Sequence, residues 1–298
     1  MPGPAIRGRN DVRIYLDHNA TTPIRPEVIE SMSEVLQGGF GNPSSVHAEG
    51  AAARARVESA RAEVADLLGV EAGEVQLTGG ATESNNTVLF GCLEPGDHVV
   101  TTRIEHPSID ACLRVLEARG VRVDRVVPDA NGRVDAGEML AAIGGRTRLV
   151  SMIWANNETG AVQPVAEVAE GCRERGVLFH TDATQALGKA VVDLRRVPCD
   201  LLSCSAHKLG GPKGVGALIR RRGCELPPFL HGGGQESGRR GGTENVIGIV
   251  GFGRACSLAK AEGASRIEAW ARLRDRLWQE IRSQIDDARW NGDPDRTL

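Results

Sequence analysis

Seven short apolar, β-branched runs, at residues 75–78, 98–102, 121–127, 149–154, 177–180, 201–205 and 215–219, alternate along the chain with segments of helical character. Parallel strands need a crossover, usually a helix, so this alternation predicts an α/β fold: a mainly parallel sheet with helices on both faces. Helices are expected over 26–37, where Pro26 stands in the first turn, and over 46–68, 107–119, 135–143 and 165–175. In the second of these Val57, Val64, Leu67 and Leu68 recur at helical spacing, and Gly69 supplies a stop. Near Ala261 the pattern changes. Residues 266–285 read as one long charged helix with Ile267, Trp270, Leu273, Leu277 and Ile281 on one face, and 291–298 are turn-rich. We therefore expect a large domain over 14–260, the start of a smaller one over 261–298, and the segment 1–25 packed against the latter.

Composition narrows the function classes. A net charge of -3 gives no electrostatic reason to expect nucleic acid. Aromatic residues are only 3%, so the core must rest on Leu, Val, Ile and Ala. The seven cysteines are odd in number, irregularly spaced and without a CxxC pair, which argues against a disulfide framework or a zinc site and for reduced thiols in the cytoplasm. Residues 1–13 carry no apolar signal-peptide core, and no run approaches a membrane span.

In parallel sheets ligands gather at the carboxyl ends of the strands, where the polar and glycine-bearing segments of this chain fall. Thr-Gly-Gly-Ala-Thr-Glu-Ser at 78–84 runs from a strand through glycines into a helix. That geometry suits a phosphate, and equally an ordinary capped turn. Asp182 and Gln185 stand just past another strand, where an acid can hold a protonated ring nitrogen or cap the next helix. In Ser-Cys-Ser-Ala-His-Lys-Leu-Gly-Gly at 203–211, Lys208 follows a strand end and precedes a glycine run; a partly neutral amine there could form an imine with an aldehyde. Lys213 is the weaker candidate. His106, in Arg-Ile-Glu-His, offers an imidazole to stack on a flat ring. Asn157, the second of two consecutive amides, could reach a ring oxygen or a carboxylate.

Together with Tyr-Leu-Asp-His-Asn-Ala-Thr-Thr-Pro at 15–23, Phe-Gly-Asn-Pro-Ser-Ser at 40–45 and the glycine-rich 231–245, these segments resemble, in order, the class V aminotransferases and within them the NifS/IscS-type cysteine desulfurases. The resemblance implies a fold type I, aspartate aminotransferase-like large domain that binds pyridoxal 5'-phosphate (PLP). It implies Lys208 as the Schiff-base lysine, Asp182 on the pyridinium nitrogen, His106 stacked on the ring, and Gln185 on the phenolic oxygen. Ala81 (through its backbone), Thr82, Ser205 and His207 would bind the phosphate, Thr243 the phosphate of the second subunit of a homodimer, and Asn157 the carboxylate side of the substrate. The implied reaction converts L-cysteine to L-alanine, with Lys208 as general base and a cysteine thiolate taking the sulfur for an acceptor protein of iron–sulfur assembly or tRNA thiolation. One departure stands out. The family's catalytic cysteine and its substrate-carboxylate arginine lie in the C-terminal small domain, and neither Cys224 nor Cys256 fits the former. We therefore expect a desulfurase with an incomplete small domain, lacking the catalytic Cys loop. Two alternatives are a related class V enzyme, such as a selenocysteine lyase or transaminase, and a silent homologue that only dimerises.

Overall fold

The computed structural model describes residues 14–298; the segment 1–13 lies outside the described residues. Seven strands, β1 (Val75–Thr78), β2 (His98–Thr102), β3 (Arg122–Val126), β4 (Thr147–Ile153), β5 (Leu178–Asp182), β6 (Leu201–Ser205) and β7 (Gly216–Arg220), form one sheet in the order β1-β7-β6-β5-β4-β2-β3. The strands β6, β5, β4, β2 and β3 pair in parallel; β7 is antiparallel to both neighbours, so β1 runs the same way as β6. The ends of β1, β5 and β6 and the start of β7 therefore meet at one edge, and Gly216 stands opposite both Thr78 and Ser205.

Side chains alternate across a strand, and here the alternation divides two cores. Val99, Leu149, Leu201 and Leu218 face α3 (Ala81–Cys92) and α4 (Pro107–Ala118), with Val88, Leu89, Ile109 and Leu113. Their neighbours Val100, Val150, Leu202 and Ile219 face the other layer, where α2 (Ala48–Leu68), α6 (Val165–Arg175) and α7 (Val246–Gln284) supply Val57, Val64, Val168 and Phe252. Each such buried side chain is worth about 1.5–3 kcal/mol relative to exposure. α1 (Pro26–Gly38) and the short α5 (Ala136–Ala141) complete the helices.

The helices and strands fall where the periodicity puts them, with shifted ends. Val46 lies outside α2, whose N-cap is His47, and Gly69 closes it in the left-handed conformation (φ 70°). The expected 135–143 helix contracts to Ala136–Ala141. Asp182, expected just past the 177–180 run, is instead the last residue of β5. The C-terminal helix is the larger revision: 266–285 is the second half of α7, which begins at Val246 and kinks at Gly263 (φ 38°). The first half is buried through Ile249, Phe252, Ala255 and Cys256, and Gly253 lets it approach Ala60 of α2, where an added Cβ would meet the Ala60 Cα at 2.6 Å. Beyond the kink the expected apolar face divides. Ile267 and Ile281 are half-buried, while Leu273 and Leu277 are 63% and 58% exposed. Trp278 instead packs edge-on against Trp290, which brings the tail back so that Thr297 bridges Ala161. The segment before α1 is fastened to the loops around Gln185 and His207, with Arg25 reaching Glu262 of α7 at 2.6 Å.

Candidate active site

At the shared edge of β1, β5 and β6 lies a cavity of about 540 Å³ whose walls carry Ala81, Thr82, His106, Asn157, Asp182, Gln185, Ser205, His207 and Lys208. Nine of the ten residues singled out in the sequence converge there. The tenth, Thr243, is exposed and does not line this cavity; it lines an adjacent one that shares Gly79 and Gly214 with it.

One end is built for an anion. α3 starts at Ala81 behind Gly80, whose φ of 141° is open to glycine, and no side chain caps the first turn. Its leading N–H groups, on residues that line the cavity, have no helical partner, which makes the helix start electropositive. Gly216 makes the turn possible: a Cβ there would stand 2.8 Å from the Gly80 Cα and 2.4 Å from the Cys204 carbonyl. Ser205 and His207 close this end from β6. His207 Nδ1 lies 3.2 Å from Thr21 Oγ1, and the imidazole is pushed down to about 4 by burial and by the cations of Lys208, Lys213 and Lys189, so it is neutral at pH 7. Lys213 is exposed at the rim.

The opposite wall is acidic and tightly held. Asp182, 3% exposed, accepts from Asn85 Nδ2 at 2.8 Å and from the Thr184 N–H at 3.0 Å. Asn85 also donates to Ser108 Oγ at 2.9 Å, and Ser108 Oγ lies 2.8 Å from His106 Nδ1. Asp182 and His106 are thus tied into one network through two residues that no sequence pattern flagged. His106 is at once the N-cap of α4 and a wall of the cavity, so its capping and site roles coexist. Beneath Asp182, His180 is buried between Ser151 and Ser203; burial holds it neutral, at about 4. Glu105 secures the loop before His106 by accepting from Thr102 Oγ1 and the Ile153 N–H, and burial pushes its carboxyl up to about 8.

Lys208 sits in a short 3-10 turn, Ala206–Lys208, directly after β6. Its Nζ donates to the carbonyls of Asn19 and Ala20, and burial lowers its pKa against the opposing pull of Asp182, Asp17 and Glu158. The amine is therefore easier to deprotonate than a surface lysine. Gln185 donates through Nε2 to the Asn19 carbonyl (2.8 Å) and accepts at Oε1 from Lys189 (2.7 Å), whose own pKa burial brings down to about 8. The 15–23 segment thus lines the lysine side of the site, a task visible in sequence only as resemblance. Asn157 donates to Glu158 at 2.6 Å from the rim. None of the seven cysteines lines the cavity. Cys224 is buried and raised to about 11, and Cys256 is fully buried in α7 and raised further.

A sheet of this topology with a buried acid, a loop lysine and an uncapped helix start on one cavity defines a fold type I site, and the chain matches the class-V aminotransferase family model over residues 14–297. It is 42% identical over 288 residues to the cysteine desulfurase of Trichormus azollae, covering 96% of this chain and 72% of that one. Among solved structures it is similar to a NifS-like protein (TM-score 0.93, 36% identity, 96% of this chain and 80% of that one). It is also similar to SspA in complex with cysteine (TM-score 0.83, 35% identity, 95% and 81%). The chain belongs to the class-V aminotransferases and, within them, to the cysteine desulfurase family, which is PLP-dependent.

The residues present fit that cofactor. Free amides at the start of α3 suit a phosphate, a carboxylate at the end of β5 suits a protonated pyridine nitrogen, and an amine of lowered pKa suits an aldehyde.

Proposed function

We propose that this chain is a PLP-dependent cysteine desulfurase that takes L-cysteine to L-alanine, and that the Lys208 cavity is its active site. The observation that carries this is the convergence of Lys208, Asp182 and the uncapped start of α3 on one cavity. On this reading the Ala81 N–H, Thr82, Ser205 and His207 hold the phosphate, with His207 acting as a neutral donor. Asp182 would pair with the ring nitrogen, and Asn85 with the Thr184 N–H keeps the Asp182 carboxylate aimed. His106 would serve the face of the ring, Gln185 its phenolic oxygen and Asn157 the carboxylate side of the substrate, all three lining the cavity. Thr243, exposed on its own protomer, serves the phosphate of a partner in a homodimer. When bound, PLP supplies an electron sink for charge developing at the substrate Cα. Lys208 Nζ, whose pKa burial lowers, would hold the cofactor and would move the substrate proton.

The overall change is L-cysteine plus a thiol giving L-alanine plus a persulfide: the C–S bond of cysteine breaks and a new S–S bond forms. A thiolate must make that attack. Buried, protonated Cys224 and Cys256 do not supply it, so on this reading sulfur release by these 298 residues is slow until an outside thiol takes the sulfur, an acceptor protein of iron–sulfur assembly or tRNA thiolation being the physiological one. We assign residues 14–260 to the large, PLP-binding domain and 261–298 to the smaller one, with Gly263 at the joint. The seven unpaired cysteines support a reducing, cytoplasmic setting. Among the described residues no helix is long and apolar enough to cross a membrane.

The test is spectroscopic and chemical. The purified chain should show a visible PLP band that borohydride bleaches and fixes covalently, and Lys208→Ala should lack it. With L-cysteine and dithiothreitol, alanine and sulfide should form in equal amounts. A colourless wild type, or a band retained in Lys208→Ala, sinks the proposal. The lack of a thiol at the cavity favours one other reading, a selenocysteine lyase type of reaction that needs no enzyme thiol; alanine release from selenocysteine but never from cysteine would select it.

A further inference from the structure

Glu83 poses an electrostatic problem that the site has to solve. It lies in the first turn of α3, and its Oε2 accepts the Gly79 N–H at 2.8 Å, so a carboxylate stands beside the amides proposed to hold a phosphate. A carboxylate is favourable at a helix start, but it repels a second anion seated there. The glycine-rich segment 231–245 supplies the answer. From it Arg240 forks onto Glu83, Nε to Oε1 at 3.0 Å and Nη2 to Oε2 at 3.2 Å, with Glu83 only 15% exposed.

The same loop is pinned four residues earlier. Glu236, 4% exposed, accepts from the Leu77 N–H on edge strand β1 at 2.8 Å and from both terminal nitrogens of Arg61 at 2.7 and 2.8 Å. Glu236 and Ser237 hold φ of 48° and 57°, the only positive values among the described non-glycine residues. A left-handed conformation costs about 1–2 kcal/mol per residue, so the ion pair is what holds the loop in this shape. The two anchors, Leu77 and Glu83, bracket the turn 78–82.

We propose that Arg240, held in place by the Glu236–Arg61 clamp, is a positioning residue for the phosphate of PLP: it neutralises Glu83, which lines the cavity, and keeps that carboxylate on the Gly79 N–H. This rests on reading the Lys208 cavity as the PLP site. The test is an equilibrium titration of the apoprotein with PLP and, separately, with pyridoxal, which lacks the phosphate, followed by the visible band. Arg240→Met should weaken PLP binding on the order of tenfold, the scale of one nearby unscreened charge, and leave pyridoxal binding unchanged. Adding Glu83→Gln to Arg240→Met should return PLP affinity to within about twofold of wild type, since the repelling charge is gone. A structural role alone would not produce that rescue. Unchanged PLP affinity in Arg240→Met, an equal loss for pyridoxal, or no rescue by Glu83→Gln each overturns the proposal. If Arg240→Met does not fold, Arg240→Lys, which keeps the charge without the fork, should show a smaller loss confined to PLP; a loss shared with pyridoxal, or none, overturns it. A wild type that binds neither ligand overturns the reading of the cavity itself, an outcome distinct from the others.

Discussion

Three titratable groups around the cavity, of which His207 is only half-buried, set its response to pH, and their signs differ. His180 and His207 have folded values near 4 against an ordinary 6.5, so the unfolded chain takes up protons first as pH falls. Stability is complete above about 6.5 and is lost as pH drops toward 4. Glu105 acts oppositely. Its folded value near 8 lies above the ordinary 4.5, so its contribution is complete below 4.5 and is lost as pH rises toward 8. Glu105→Gln keeps an oxygen to accept from Thr102 and Ile153 but cannot ionise. Relative to wild type, its urea midpoint should rise progressively between pH 4.5 and 8; a difference that stays constant with pH would show that the buried carboxyl is not what titrates. Asn85 offers a second test. Asn85→Ala strips Asp182 and Ser108 of their common donor, and losing one buried partner costs about 1–3 kcal/mol. The expected result is lower thermal stability together with a PLP band whose position shifts with pH in a range where the wild type's is constant. An unshifted band would make Asn85 structural only.

Elements are where the sequence was most legible. Strand positions could be read because every run but the edge strand β3 is largely buried on both faces, as in the fully buried β1, β2 and β6. Helix ends shifted because caps such as His47 and Asp135 are set by local hydrogen bonds that hydropathy does not register. The site residues at strand ends were legible for a topological reason: parallel strands bring their carboxyl ends together whatever the loop lengths. Asn85, Glu105, Lys189 and Glu236 were not, since each acts on a partner distant in sequence or through a loop conformation that leaves no periodic trace. Gly216 is the element-scale residue on which the site's geometry turns. It is the first residue of β7, flanked by Cys204 on one side and Gly80 on the other. Gly216→Ala would force β7 off one neighbour, at a cost of about 1–3 kcal/mol for overpacking. The displaced Gly80 should also weaken PLP binding more than the stability loss alone explains. Wild-type cofactor affinity in a destabilised Gly216→Ala protein would separate the turn from the strand.

At the scale of the molecule, the burial of α7 changes abruptly at Gly263. Before the kink the helix is wedged against α2; after it, Trp270, Leu273, Leu277 and, just past the helix, Ile285 are exposed at 38–63%. Arg266 stacks over Trp270 at 4.3 Å, and the Trp278–Trp290 contact holds the far end to the tail, so the helix remains in place while its outer stripe faces water. Leu273 and Leu277 are four residues apart on one face, and stripes of this kind drive association when nothing covers them. These 298 residues should therefore self-associate through α7 in a concentration-dependent way, separately from any pairing that serves the PLP site. Leu273→Glu with Leu277→Glu leaves the cavity and the buried half of α7 untouched. In sedimentation velocity the double variant should lose the larger species and keep its PLP band and borohydride adduct. If the large species persist unchanged, the sticky surface lies elsewhere; if they vanish together with the PLP band, the outer stripe is part of the surface that completes the site.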